Sequence, residues 1–279
     1  MITSVSDYMQ SVNSAADYIS SKLTDGVRPE ICIVLGSGLA PLVSMCEDTM
    51  SIPYSDIPGF PVSTVPGHEG RLIIGTLSGK KVYMMSGRFH YYEGYDTSIC
   101  TLYVRVMKRL GVKTLVLTNA AGGINEDMQP AELMAIQDHL SFFCESPLRG
   151  ANLDEFGVRF PDQSSVYDEE YLDILENCAD ELGITLHRGV YIYCKGPQYE
   201  SPSEIQVFKA MGASAVGMST VPEAIVATHC GMRTVAVSCI TNLAAGISPV
   251  ALSHAEVMEN AAKASDNSCN LVKAFISKI

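Results

Sequence analysis

Positive charge is scarce in this chain: 19 Lys and Arg stand against 31 Asp and Glu, a formal net charge of -12. That balance excludes non-specific nucleic-acid binding, which takes a surplus of basic groups. It also means that any anion site must be built from local donors, because the global field repels anions. No stretch approaches the roughly 18 uncharged apolar residues of a membrane span. No basic start followed by an apolar block opens the chain, so a secretory leader is not expected. None of the nine cysteines forms a C-x-x-C pair, and their number is odd. Several, such as Cys32 and Cys239, sit inside apolar runs. Free buried thiols in a reducing cytoplasm account for them better than metal or disulfides. Repeats, low-complexity tracts and linkers are missing as well. With 279 residues, a single domain over 1–279 is the economical expectation.

What is present alternates between two periods. Apolar groups at Val5, Tyr8, Met9, Val12, Ala16 and Ile19 form a helical stripe over residues 5–23. The run 31–35 reads as a buried strand, and runs 71–77 and 81–85 flank Ser78-Gly79-Lys80 as a hairpin. Asp96 can cap a helix whose face is Ile99, Leu102, Tyr103, Val106 and Leu110, ended by Gly111. Strands are expected at 114–119 and 131–139, whereas 141–167 shows no period, a length of loop that is usually functional. Beyond it, helices (168–182, 202–211, 221–231, 253–277) alternate with strands (189–194, 214–218, 233–239). Such alternation implies helices on both faces of a largely parallel or mixed sheet.

Three of these helices open with a Ser or Thr followed three residues later by Glu: Ser201–Glu204, Thr220–Glu223 and Ser253–Glu256. This spacing is that of a capping box. Glu200, Ser219 and His254 lie at these starts, where free N–H groups and the helix dipole suit an anion. In α/β sheets ligands bind beyond the strand carboxyl ends, so the boxes say where to look. Gly36-Ser37-Gly38 follows a strand and can serve as a phosphate contact or as a plain turn. It is no dinucleotide fingerprint, since Pro41 occupies the third glycine position, and no Gly-Lys-Ser/Thr follows it. Asn119-Ala120-Ala121-Gly122-Gly123 permits close approach of a ligand to backbone, or a tight turn. In GRFHYYEG (87–94), Arg88 and His90 share one face if extended, either as a solvated basic pair or as a phosphate grip, since a guanidinium forks well onto phosphate oxygens. His68 sits in a Pro66-Gly67-His68 turn.

Taken in order across residues 36–258, GSGLAP, VPGHEGRL, GRFHYYEGY, TNAAGGIN, DEFGVRFPD, GPQYESPSE, VGMSTVPE and ITN followed by SHAEV resemble the trimeric class of purine nucleoside phosphorylases. The resemblance covers nearly the whole chain. It implies a three-layer α/β/α sandwich with a mixed central sheet, phosphorylase/hydrolase-like, and a cytoplasmic homotrimer. It implies no cofactor and no metal, with inorganic phosphate as co-substrate. By position, Ser37, Arg88, His90, the backbone N–H of Ala120, and Ser219 match the phosphate site, with His68 on a loop above it. Tyr92, Met218 and His254 match positions around the ribose. Tyr199, Glu200, Val216, Thr241 and Asn242 match the purine pocket. Phe160 matches a residue that reaches the neighbouring subunit's site. Tyr199 stands where the family commonly has Phe, so its hydroxyl needs a partner. Ala40 replaces a common Gly.

The implied reaction suits these residue types. Phosphate itself attacks the anomeric carbon, so no enzyme nucleophile is needed, and Asn242, Glu200 and His90 are the expected catalytic groups. Asn242 would bind N7 and the 6-oxygen of the leaving base while Glu200 accepts the N1 proton. Adenine lacks that proton and would leave a buried carboxylate unpaired, so 6-oxopurines are expected. A 5′-methylthioadenosine phosphorylase shares the fold, but that branch generally places Asp at the position of Asn242. A hydrolytic nucleosidase would cleave without phosphate, and a non-catalytic nucleoside-binding protein would not need Arg88, Glu200 and Asn242 together.

Overall fold

The computed structural model describes residues 4–23, 26, 28–62, 69–248 and 252–279. Helix α1 (Val5–Lys22) is capped by the Ser4 hydroxyl and buries Tyr8, Val12, Ala16 and Ile19 of the expected stripe, adding Ala15. The chain then enters β1 (Ile31–Leu35), all five residues of which are buried. An edge strand, β2 (Glu47–Pro53), leads to the hairpin β3 (Arg71–Leu77) and β4 (Lys80–Ser86). Strand β2 carries no alternation strong enough to announce it: Glu47, Asp48, Thr49 and Ser51 are exposed. It is ordered by pairing to β3 rather than by its own burial.

The helix expected after Asp96 is two: α2 (Thr97–Cys100) and α3 (Leu102–Arg109), with a break at Thr101. Thr101 has φ -102 and ψ 3, and its hydroxyl donates to the Thr97 carbonyl at 2.8 Å. A side chain that bonds the preceding turn in this way competes with the regular helix. Asp96 provides no side-chain cap.

Strands β5 (Thr114–Gly123), β6 (Leu133–Leu140), β7 (Leu186–Tyr193), β8 (Ala215–Gly217) and β9 (Arg233–Leu243) complete a mixed sheet. Its order is β2-β3-β4-β1-β5-β8-β7-β6-β9, and a further pairing of β5 with β9 closes the last five strands into a ring. Helices α4 (Glu169–Leu182), α5 (Pro202–Ala210), α6 (Val221–His229) and α7 (His254–Lys278) alternate with these strands. Helices α1, α3 and α6 pack together, and α7 lies against α4 and β9. This is the mixed α/β architecture with a central mixed sheet that the sequence implied. The stretch 141–167 has neither helix nor strand, and all nine cysteines are free.

Two strands outrun their expected ends by four residues each, and both excesses matter. Strand β5 continues through Asn119 to Gly123, and β9 through Thr241 and Asn242 to Leu243. They pair in parallel with a register shift between Ala121 and Gly122: Ala121 faces Ile240, but Gly122 faces Asn242. Thr241 is therefore an extra residue, a bulge of the kind that re-aims side chains beside active sites.

Candidate active site

The ends of several strands converge on one cavity, where apolar side chains and a few convergent polar groups meet as they do in small-molecule sites. Its wall includes Ser37, Arg88, His90, Tyr92, Ala120, Tyr199, Glu200, Val216, Met218, Ser219, Thr241, Asn242 and His254. These thirteen residues come from positions spread over most of the sequence, and each was expected from it. Thr241 and Asn242 are neighbours in a strand, where successive side chains normally point to opposite faces. The bulge is what lets both line one cavity.

Arg88 follows β4 and is only 2% exposed. Its Nη1 donates to the Thr118 carbonyl at 2.7 Å and to the Ser219 hydroxyl at 3.2 Å, while Nε donates to Glu223 at 3.1 Å. Burial works against its charge, but the Glu223 carboxylate together with Tyr103 and Tyr191 outweighs that cost, and the guanidinium pKa is raised. Glu223 also accepts from the Tyr103 hydroxyl at 3.0 Å. The Thr220–Glu223 capping box is thus not formed. Thr220 makes no side-chain cap, its hydroxyl accepts from Asn119 Nδ2 at 2.9 Å, and Glu223 is committed to Arg88. The Ser201–Glu204 box is complete in both directions, at 3.3 and 2.7 Å. At the third start, Ser253 accepts from the Glu256 N–H at 3.2 Å.

Gly36 allows the first strand's exit to press against β5. A Cβ there would meet the Asn119 Cα at 2.7 Å, and its N–H donates to the Thr118 hydroxyl at 2.8 Å. His90 Nδ1 lies 3.0 Å from Glu93 Oε1. That carboxylate oxygen also accepts from the His90 backbone N–H at 2.8 Å. A carboxylate only accepts, so Nδ1 carries the hydrogen and neutral His90 keeps a lone pair on Nε2. Burial lowers the His90 pKa, opposed by Glu93 and reinforced by Arg88. Tyr92 stacks on the imidazole, centroids 4.6 Å apart and planes at 15°.

On the other side of the cavity the Asn242 amide is oriented by its neighbours. Its Oδ1 accepts from the Thr241 hydroxyl at 3.1 Å and its Nδ2 donates to the Leu243 carbonyl at 3.0 Å. The Thr241 carbonyl is in turn held by Asn260 of α7 at 2.8 Å. Gly122 packs close, for a Cβ there would meet Asn242 Nδ2 at 3.2 Å and Val216 at 3.4 Å. Burial raises the Glu200 carboxyl above the ordinary glutamate range, partly offset by hydrogen bonds that include one from the Cys194 thiol. Tyr199 is 38% exposed and borders both this cavity and an adjoining one behind Glu200.

One expected residue among those described is not in the wall. Phe160 is 86% exposed and lies beside a different depression lined by Phe142, Leu148 and Pro222. His68 lies outside the described residues. Conversely, Leu252 and Val257 line the cavity with no expected role, and Asn119 and Gly122 line it from a segment read only for close approach to backbone or a tight turn. Asn119 stands in the TNAAGG segment, where the small residues drew attention away from the amide beside them. Among the described residues, no three or more His, Cys, Asp or Glu are grouped to hold a metal ion. No helix among them is long and apolar enough to cross a membrane.

Known proteins share this frame. The sequence pattern of the phosphorylase superfamily matches residues 30–277. Purine nucleoside phosphorylase 1 of Bacillus subtilis is 48% identical over 267 residues, 96% of this chain and 98% of that protein. The Bos taurus purine nucleoside phosphorylase is 47% identical over 220 residues, 77% of this chain and 76% of that one. A crystal structure of a Schistosoma purine nucleoside phosphorylase with hypoxanthine superimposes with a TM-score of 0.92 at 38% identity, covering 97% and 98% of the two chains. The chain belongs to the phosphorylase superfamily. Within it, its enzyme class is purine nucleoside phosphorylase.

Proposed function

We propose that the chain uses inorganic phosphate to split 6-oxopurine ribo- and deoxyribonucleosides, such as inosine and guanosine, into free base and (deoxy)ribose 1-phosphate, as a step of purine salvage. The observation that carries this reading is the pairing of two chemically different groups along β5. Asn119 stands with Arg88, Ser219 and Gly36, and Gly122 stands with Asn242 and Val216. They lie three positions apart on the strand, roughly 10 Å, which suits a nucleoside with its base at one end and phosphate at the other.

In this reading Ser37, Arg88, His90, the Ala120 N–H, Ser219 and the His68 loop hold phosphate. His90 Nε2 accepts a hydrogen from the phosphate hydroxyl. Positive charge develops on the ribose as the bond to the base breaks, and the fixed phosphate anion lies against it, which is positioning plus electrostatics. Tyr92, Met218 and His254 surround the ribose. Asn242 binds N7 and O6 as the base gains electron density, and Glu200 accepts from N1–H. Tyr199, Val216 and Thr241 complete the base pocket. The chemistry calls for no metal and no organic cofactor. The exposed Phe160 supports a homotrimer in which that ring reaches the next subunit's site, in a cytoplasmic enzyme.

A panel of inosine, guanosine, their deoxy forms, adenosine and 5′-methylthioadenosine, each with phosphate, tests the specificity. A purine nucleoside phosphorylase of Schistosoma mansoni has been crystallised with adenosine, so binding alone does not discriminate and turnover must be read. Phosphorolysis of inosine and guanosine at least about a hundredfold faster in kcat/KM than of the 6-amino nucleosides is expected. Equal turnover of adenosine or methylthioadenosine would overturn the 6-oxopurine assignment.

A further inference from the structure

Between Ser219 and α6 the backbone takes a conformation that its residue type disfavours. Thr220 has φ 74 and ψ -50, and the Val221 N–H closes onto the Ser219 carbonyl at 2.8 Å. This is a three-residue turn with positive φ at its centre, a rare and strained form, and a β-branched residue is among the worst suited to it. The helix does not require it. A threonine cap ordinarily sits in the extended region and accepts from a first-turn N–H, and Thr220 does neither.

The strain has another beneficiary. Thr220 is fully buried and is not part of the cavity wall, yet its hydroxyl sits between two residues that are. It accepts from Asn119 Nδ2 at 2.9 Å and lies 3.2 Å from the Ser219 hydroxyl. Ser219 is also held by Arg88 Nη1 at 3.2 Å, and its N–H points at the Tyr191 hydroxyl at 3.4 Å. We infer that Thr220 is a positioning residue: its tight turn, braced by Asn119, fixes the Ser219 hydroxyl for the phosphate co-substrate. The inference rests on the phosphate reading of this end of the cavity. A relaxed turn would leave Arg88 in place but let Ser219 swing, weakening phosphate without touching the base pocket.

The test is steady-state kinetics of phosphorolysis with KM for phosphate and for inosine measured separately, together with thermal melts, on T220G, T220S and S219A. Glycine accepts positive φ without a Cβ penalty, which offsets part of the cost of stranding the Asn119 amide, so T220G should still fold and melt cooperatively. It should nonetheless raise KM for phosphate about tenfold, the value of one hydrogen bond of ordinary strength. KM for inosine should stay within about twofold. T220S keeps the hydroxyl that Asn119 grips and should restore most of the phosphate affinity. If S219A raises KM for phosphate and T220G does not, the positioning role is refuted. A T220G protein with a lowered melting temperature and both KM values raised alike would show a purely structural role and refute it too. If S219A itself leaves KM for phosphate unchanged, the phosphate assignment of this end fails, and the inference falls with it.

Discussion

One oxygen of Glu223 accepts both from Arg88 Nε and from Tyr103, at 3.1 and 3.0 Å, although 135 positions separate Glu223 from Arg88. Both members of the ion pair are nearly inaccessible, with side chains 2% and 5% exposed. A buried pair is not strong evidence of stabilisation, but removing one partner strands the other's charge. Glu223→Ala should therefore cost about 3–5 kcal/mol in urea unfolding. Tyr103→Phe, which removes only a neutral donor, should cost about 1 kcal/mol. Because Arg88 loses one of its anchors, Glu223→Ala should also weaken phosphate more than it weakens nucleoside.

Glu200 sets a second expectation, in pH. In the proposed function it must be a carboxylate to accept N1–H, and burial in the cavity wall raises its pKa from the ordinary glutamate value. The acid limb of kcat/KM for inosine should accordingly lie above the ordinary glutamate range. A bound base offers N1–H to the charged form, so the limb of kcat should lie at lower pH than that of kcat/KM. Glu200→Gln should remove the limb and lower kcat/KM about a hundredfold or more. Glu200→Ala and Asn242→Ala should abolish phosphorolysis while leaving phosphate binding intact, as read by calorimetry. An unchanged acid limb in Glu200→Gln would assign it to another group.

Acid should also loosen the segment before Phe160. His229 accepts from Arg105 through Nδ1 at 3.1 Å, and its Nε2–H reaches Asn152 at 3.2 Å. Asn152 in turn donates to the Gly157 carbonyl at 2.9 Å. Burial, and then Arg105, lower the His229 pKa from 6.5, and burial likewise lowers those of His90 and His139. The unfolded chain then binds protons below about pH 6.5 that the folded one refuses, so stability is full above that pH and declines as pH falls through it. Each such group contributes up to about 1.4 kcal/mol per pH unit. Melting temperature should drop between pH 7 and 5.5, and less steeply in His229→Gln.

Much of this site is legible in the sequence, but not all for the same reason. Local signals serve where the cause is local: the α1 stripe, the β3–β4 turn and the Ser201–Glu204 cap all form. The Thr220–Glu223 spacing is identical in kind and fails, because Glu223 finds a buried guanidinium and Thr220 finds Asn119. Both partners are remote in sequence. The bulge at Thr241 is equally invisible there, since register belongs to the pairing of β5 with β9 and not to either strand. Residue types in segments such as GRFHYYEG and VGMSTVPE carry the resemblance, and the fold supplies what the segments lack, a common cavity.

The account turns on a phosphate end and a base end within one cavity. A crystal structure of the protein with phosphate and hypoxanthine bound tests this most directly. Phosphate within hydrogen-bond distance of Ser37, Arg88, His90 and Ser219, with the purine between Glu200 and Asn242, is the expected result. A purine found away from residues 200 and 242, or an anion with no contact to Arg88, would contradict it.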